Sequence, residues 1–251
     1  MKSANHDILR YKDGEVERLS DTVVREDWLD LYVNGQPVLE TPVTAGDVEA
    51  FVHGFLYMQG YIKPGERLEL RNEFEKYYVT VDREIKTVTV RDMVDCASSK
   101  IDFGEEIDAV DTSRVLPVGE LLRLAAGFQR LPSLYHETGG VHMAAFAREE
   151  IVHAADDISR RNAVDKVIGK AFLAGTPPAD GILLTSGRIS SDIVVRMTRV
   201  GIPFIVSKSA PTDKAIRLAA AYGITLCGFA RGRRVNIYTH DDRVSFEAWP
   251  P

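Results

Sequence analysis

Residues 182–238 read ILLTSGRISSDIVVRMTRVGIPFIVSKSAPTDKAIRLAAAYGITLCGFARGRRVNIY, and the rhythm of this stretch decides the fold. Short apolar runs at 182–184, 203–206, 224–229 and 235–238 have the length and content of strands. Between them, 191–199 and 212–221 space their apolar residues as helices do. Continuous apolar strands separated by helices predict a sheet covered on both faces, an α/β architecture.

Upstream, 118–129 and 162–173 read as helices, the latter turning Val164, Val167, Ile168 and Phe172 toward a core. A strand is expected at 141–147, with 151–155 returning as its hairpin partner. The first half is different. Strands are expected at 28–33, 77–81 and 86–90, and one helix carries the stripe Phe51, Phe55 and Met58. Thr44 or Gly46 stands near its cap and Gly60 at its stop. The change of pattern places a boundary near 110–118. It predicts a strand-rich domain over 1–113 and an α/β domain over 114–251.

Composition narrows the class. The 251 residues hold 31 Lys+Arg and 37 Asp+Glu, a formal net charge of −6, with ordinary globular hydrophobicity. No run approaches the roughly 18 apolar residues of a membrane span, and MKSANHDILR lacks a signal peptide's apolar core. Two cysteines, 131 residues apart, make neither a disulfide framework nor a zinc site by themselves. A cytoplasmic protein is expected. The charge is unevenly spread: residues 1–111 carry 13 basic and 24 acidic side chains, and residues 112–251 carry 18 and 13. A basic half fits an anionic, phosphorylated ligand; drift in surface composition would give the same numbers.

Three loops in that half can carry chemistry. One holds His136, Gly139, Gly140 and His142; the second holds Ser186, Gly187 and Arg188. The third runs Phe229, Ala230, Arg231, Gly232, Arg233, Arg234. Ligands of open α/β sheets bind beyond the carboxyl ends of strands, where glycine N–H groups approach anions closely and guanidinium groups clamp phosphate oxygens. The FARGRR segment is the best phosphate candidate; its plain alternative is a solvent-exposed basic turn. Neither G-x-x-x-x-G-K-[ST] nor G-x-G-x-x-G after a strand is present. Nucleic acid is not expected, because aromatic residues do not alternate with the basic loops as stacking would need.

The cysteines read differently from one another. Cys96 lies in the small, polar stretch Val94-Asp95-Cys96-Ala97-Ser98-Ser99-Lys100, a setting that leaves a thiol accessible. Cys227 lies within an apolar strand and is expected to be a buried, structural thiol.

HETGGVHMAA (136–145), DDISRRNAVDKVIG (156–169), LLTSGRISSDIVVRM (183–197), GIPFIVSKSAPTDKAI (201–216) and TLCGFARGRRVNIYTH (225–240) occur in this order. Together with ETPVTAGDVEAFVHGFLYMQGYI (40–62), they resemble the formate dehydrogenase accessory sulfurtransferase family over nearly the whole chain from about residue 20. The resemblance implies a sulfurtransferase. In that family, persulfide sulfur taken from a cysteine desulfurase passes to the molybdenum bis-guanine-dinucleotide cofactor before the cofactor enters formate dehydrogenase. It also implies a homodimer, and a three-layer α-β-α carboxyl half similar to the cytidine-deaminase fold. Carried over residue by residue, Cys96 becomes the persulfide carrier. Gly139, Gly140, His142, Ser186, Gly187, Arg188 and Phe229 to Arg234 become cofactor-facing.

The chain departs from the family pattern in two places. The family's persulfide loop is C-x-x-C, whereas here Ser99 follows Cys96 at the second position. The family phrase D-V-G-R-H-N is here Asp157-Ile158-Ser159-Arg160-Arg161-Asn162. The first departure keeps two rivals open: a cofactor chaperone that moves no sulfur, and a plain guanine-nucleotide-binding protein. A zinc deaminase is excluded, since it needs H-x-E and P-C-x-x-C; His142 is followed by Ala144 at the second position and no C-x-x-C exists. His142 either lines the pocket or is a satisfied core histidine.

Overall fold

Strands β1 (Ser3–Lys12) and β2 (Glu15–Val24) open the chain as an antiparallel hairpin, in full register from Ser3 opposite Val24 to Lys12 opposite Glu15. The computed structural model describes residues 2–82, 90–91 and 107–246. Asp13 and Gly14 close the hairpin with φ of 52° and 93°, the pair of left-handed conformations a two-residue turn demands. Asn34 and Gly35 do the same (φ 51° and 79°) between β3 (Glu26–Val33) and β4 (Gln36–Thr44).

Helix α1 (Val48–Met58) follows, capped at Asp47, one residue beyond the expected glycine. The remaining strands of this region are β5 (Arg71–Glu73), β6 (Lys76–Val79) and β7 (Val90–Arg91). They complete a five-stranded sheet in the order β5-β6-β3-β4-β7. Leu29, Leu31 and Val33 alternate along β3 into a core shared with Phe51, Phe55 and Leu56 of α1. Of the strand expected at 86–90, only Val90 lies within the described residues.

The carboxyl half begins with β8 (Leu116–Pro117), α2 (Val118–Gln129) and the short α3 (Leu134–Thr138). Then come β9 (His142–Ala147), β10 (Ile151–Asp157) and α4 (Arg160–Leu173). The alternation continues through β11 (Ile182–Thr185), α5 (Ser191–Arg199), β12 (Phe204–Ser207) and α6 (Asp213–Ala221). It ends with β13 (Thr225–Arg231), β14 (Arg234–Ile237), a single 3-10 turn at Asp241–Arg243, and β15 (Val244–Ser245). Strand β15 pairs parallel with β8.

Six of these strands form one mixed sheet, ordered β10-β9-β11-β12-β13-β14. Strands β11, β12 and β13 run parallel; β9 and β14 run against them, and β10 returns antiparallel to β9 as expected. Alternate residues face opposite layers. Ala144, Phe146, Leu183, Ile205 and Leu226 pack with α4, α5 and α6, while Met143, Ala145, Leu184, Val206 and Cys227 pack with α2. The sheet is covered on both faces.

The two sheets are joined by backbone contact and a buried charge pair. Helices α1 and α4 cross at Gly54 and Gly169, and a Cβ on either would lie within 1.8 Å of the other helix's backbone oxygen. Beside the crossing, Lys166 and Asp157 are both fully buried, with Nζ and Oδ2 2.7 Å apart. Lys166 donates to the Thr44 carbonyl (2.8 Å), the Thr44 N–H donates to Asp157 Oδ2 (3.1 Å), and the Ile158 N–H donates to Thr44 Oγ1 (3.0 Å). Both charges keep hydrogen-bond partners, the condition under which a buried pair is tolerated.

Candidate functional site

The three sequence-selected loops meet on one rim of the six-stranded sheet. Thr185, Ser207 and Arg231 end β11, β12 and β13 at the carboxyl edge of the parallel strands. Because β9 is antiparallel to β11, with Ala144 opposite Thr185, the first residue of β9, His142, arrives at the same edge. Strand β14 leaves it again with Arg234 opposite Arg231.

Hydrogen bonds tie the loops to one another. Ser186 Oγ accepts the Met143 N–H (2.9 Å) and lies 3.3 Å from His142 Nδ1. The Gly187 N–H donates to Thr185 Oγ1 (3.2 Å), and the Gly187 carbonyl accepts from Ser207 Oγ (2.7 Å). Ser207 Oγ accepts in turn from the Ser209 N–H (2.9 Å), and the Ser209 carbonyl takes the Phe229 N–H (3.1 Å). On the α2 side, Gln129 Nε2 donates to the Ala230 carbonyl (2.9 Å), while the Gln129 backbone oxygen lies 2.8 Å from His136 Nε2. A carbonyl only accepts, so His136 carries a proton on Nε2.

Local conformation explains the glycines. Gly187 needs its missing side chain, since a Cβ there would stand 3.0 Å from Arg160 Cβ and 3.5 Å from His142 Nδ1. Gly139 caps α3 in the left-handed region (φ 66°), and the space beside Gly140 is taken by Val24 of β2. The FARGRR loop is shorter than the sequence implied, because β13 runs through Arg231 and leaves Gly232-Arg233 as a two-residue turn with Gly232 at φ 60°. Ala230 therefore lies in the core, and its side chain offers nothing to a ligand. Phe229 sits at a register shift with φ 51°, its ring half-buried under the guanidinium groups of Arg234 and Arg231 (5.3 and 5.8 Å). The solvent-exposed basic turn and the phosphate candidate are thus one object. Among the described residues, Arg188, Arg231, Arg233 and Arg234 form no salt bridge.

Behind the rim lies a recess of about 100 Å³, lined by Phe128, Gln129, Tyr135, His136, Met143, Ser186 and Lys208. Sequence reasoning missed most of this wall. Lys208 donates to the Tyr135 hydroxyl and holds its ammonium 4.1 Å from that ring's centroid. Its signal was present: Ser207-Lys208-Ser209 is a polar break directly after the apolar residues of β12.

The other sequence-selected positions fall as follows. Cys227 is fully buried in the α2-side core, and burial pushes its thiol up to about 12, which leaves it inert at neutral pH. Cys96 lies outside the described residues, as do Asp95, Ser99 and Lys100. Ser159 is the cap residue of α4 with φ −100°, a conformation that does not require the family's glycine. Arg161 binds Asp192 through Nε (3.0 Å) at the start of α5. His142 is half-buried at the rim, and Ala144, two residues on, points into the core.

The sequence profile of the FdhD/NarQ family matches residues 24–245. The chain is 31% identical to the sulfur carrier protein FdhD of Bacillus licheniformis, covering 95% of this chain and 96% of that one. It is 34% identical to the sulfur carrier protein FdhD of Halalkalibacterium halodurans, covering 96% and 95%. Its fold is similar to the crystal structure of a protein described as a formate dehydrogenase accessory protein from Desulfotalea psychrophila. The TM-score is 0.78 at 24% identity, over 98% of this chain and all of that one.

Proposed function

The chain belongs to the FdhD/NarQ family, and on that premise we propose that it is a sulfur carrier in the maturation of formate dehydrogenase. The Cys96 thiolate takes the terminal sulfur of a cysteine desulfurase's persulfide, releasing the desulfurase thiolate, and delivers that sulfur to a molybdenum bis-guanine-dinucleotide cofactor held as substrate at the rim. The protein works in the cytoplasm as a homodimer, with 1–113 presenting Cys96 and 114–251, a domain of cytidine-deaminase-like layout, holding the cofactor.

One observation carries the substrate half of this reading. Three separate sequence motifs converge on one edge of the sheet, and two of them bring Arg188, Arg231, Arg233 and Arg234 there without carboxylate partners among the described residues. Guanidinium groups of this kind match phosphate oxygens bidentately, and a guanine-dinucleotide pterin carries several phosphates. The sulfur half rests on the family, and it is supported by the state of Cys227, which is buried with its thiol pushed up to about 12 and so is ill suited to carry sulfur.

Ser99 favours a second reading, a chaperone that hands over the cofactor without moving sulfur. Intact-mass spectrometry after incubation with a desulfurase and cysteine separates the two. A +32 Da adduct (the mass of one sulfur) mapped to Cys96 supports the carrier, and its absence supports the chaperone.

A further inference from the structure

Lys208 is the one cationic side chain in the wall of the recess among the described residues. We propose that Lys208, held in place by Tyr135, is the phosphoryl-binding cation of the recess and takes one phosphoryl group of a guanine nucleotide. The proposal rests on the reading of this rim as a site for a phosphorylated guanine ligand.

Its position comes first. Lys208 directly follows β12, at the carboxyl edge where the loops gather, and its own N–H donates to the Thr185 carbonyl (3.3 Å). Ser209, the next residue, holds Phe229, so the ammonium and the FARGRR turn are braced against the same short segment. The ammonium is half-buried, forms no salt bridge among the described residues, and is paired with a neutral phenol. An ammonium has three donors. The Tyr135 oxygen accepts one, leaving two for a further acceptor, and a charge-assisted bond to an anionic oxygen is the strongest on offer.

Size selects the group. The recess holds about 100 Å³, room for a small polar group such as one phosphoryl. A whole nucleotide needs a pocket of roughly 300 Å³ or more, so the remainder would lie outside the recess. The other lining groups suit an anion. Phe128 and Met143 wall it with apolar surface, and among the described residues no carboxylate lines the recess.

The test is calorimetric titration of the full chain with GDP, GMP and guanosine. Lys208→Met should weaken GDP binding about 10- to 150-fold, as expected when one charge-assisted hydrogen bond is removed, and leave guanosine within about twofold. Lys208→Arg, which keeps the cation, should recover most of the affinity. Unchanged GDP affinity in Lys208→Met, or an equal weakening for guanosine, overturns the proposal. The reading beneath it fails separately: GDP binding that is insensitive to Arg231→Ala with Arg234→Ala removes the FARGRR turn from the site but leaves Lys208 standing. A wild-type chain that binds no GDP removes both. A wild-type measurement guards against a variant that does not fold. Acetylation of Lys208, followed by mass spectrometry, should slow several-fold with GDP and not with guanosine; equal rates overturn the assignment.

Discussion

Gly54 and Gly169 bring α1 and α4 into backbone contact: a Cβ on Gly54 would lie 1.8 Å from the Asp165 carbonyl oxygen, and one on Gly169 1.7 Å from that of Ala50. No rotamer relieves such a clash, because the obstructing atoms are main chain. Gly54→Ala and Gly169→Ala should each destabilise the chain by about 3 kcal/mol or more, since the helices must separate along their length. Urea unfolding followed by circular dichroism measures this. A destabilisation under about 1 kcal/mol would mean that the crossing is looser than described.

Beside that crossing, Lys166 supplies the charge that keeps Asp157 compatible with burial. Lys166→Met leaves a carboxylate in the core with only the Thr44 and Ser159 N–H groups and no counter-charge, and should cost about 3–5 kcal/mol. Adding Asp157→Asn removes the stranded charge, so the double variant should be more stable than the single one. The midpoints of chemical denaturation give the ordering.

Asp165 makes stability depend on pH. Its carboxyl is pushed from 3.8 up to about 6 by burial, which the neighbouring Arg196 offsets only in part. The folded chain therefore holds this proton more tightly than the unfolded chain between about pH 4 and 6. In that window the Asp165 contribution to stability falls as pH rises. Burial also raises Asp192 and Asp47, but Arg196 and Lys170 respectively, with their neighbours, outweigh it and hold both carboxyls below 3.8. Their contribution disappears only at lower pH. Asp165→Asn should flatten the slope between about pH 4 and 6; an unchanged slope in urea midpoints would assign it to other groups.

Arg231→Ala with Arg234→Ala should weaken GDP binding by roughly 1.5–3 kcal/mol for each charge-assisted hydrogen bond removed. Both side chains lie exposed over Phe229, so thermal stability should stay close to that of the wild type. Calorimetry and a melting curve on the same sample read the two quantities.

For sulfur transfer, Cys96→Ala should abolish activity, and Cys227→Ala should retain it at a cost of about 1 kcal/mol in stability. Serine is a poor nucleophile without an activating base, so Ser99 cannot attack a persulfide on Cys96. Ser99→Cys opens that route, releasing hydrogen sulfide as a disulfide closes, and should shorten the persulfide lifetime. Timed mass spectrometry of the loaded protein reads the change.

How far the sequence foretold the molecule depends on where its information is local. Helix α2 and helix α5 fall on the expected residues, because a period of 3.6 with buried Leu121, Leu124 and Phe128, or Ile193 and Met197, is written within each segment. The opening hairpin went unread although Asp13-Gly14 announces it, since most of its residues are exposed and only turn chemistry marks it. At the rim, the glycine and arginine motifs were visible, while Lys208, Tyr135 and Gln129 were not. Their meaning comes from three separate segments meeting, which no window of sequence contains. The extent of the FARGRR turn was overestimated for a related reason. Ala230 counts as a loop residue by its neighbours and as a core residue by its pairing with α2.

The node of Thr44, Asp157 and Lys166 also bears on how this chain could be recombined. Thr44 lies more than 110 positions from both Asp157 and Lys166, and each of the three satisfies a group on the others. A chimera joined near residue 113 would inherit Thr44 and the glycine of α1 from one parent, and Asp157, Lys166 and the glycine of α4 from another. Only parents that agree at both the charge and the missing side chain would give a folded hybrid. Exchange of halves is therefore restricted by shape and charge at the seam, and the two halves would be inherited as a unit.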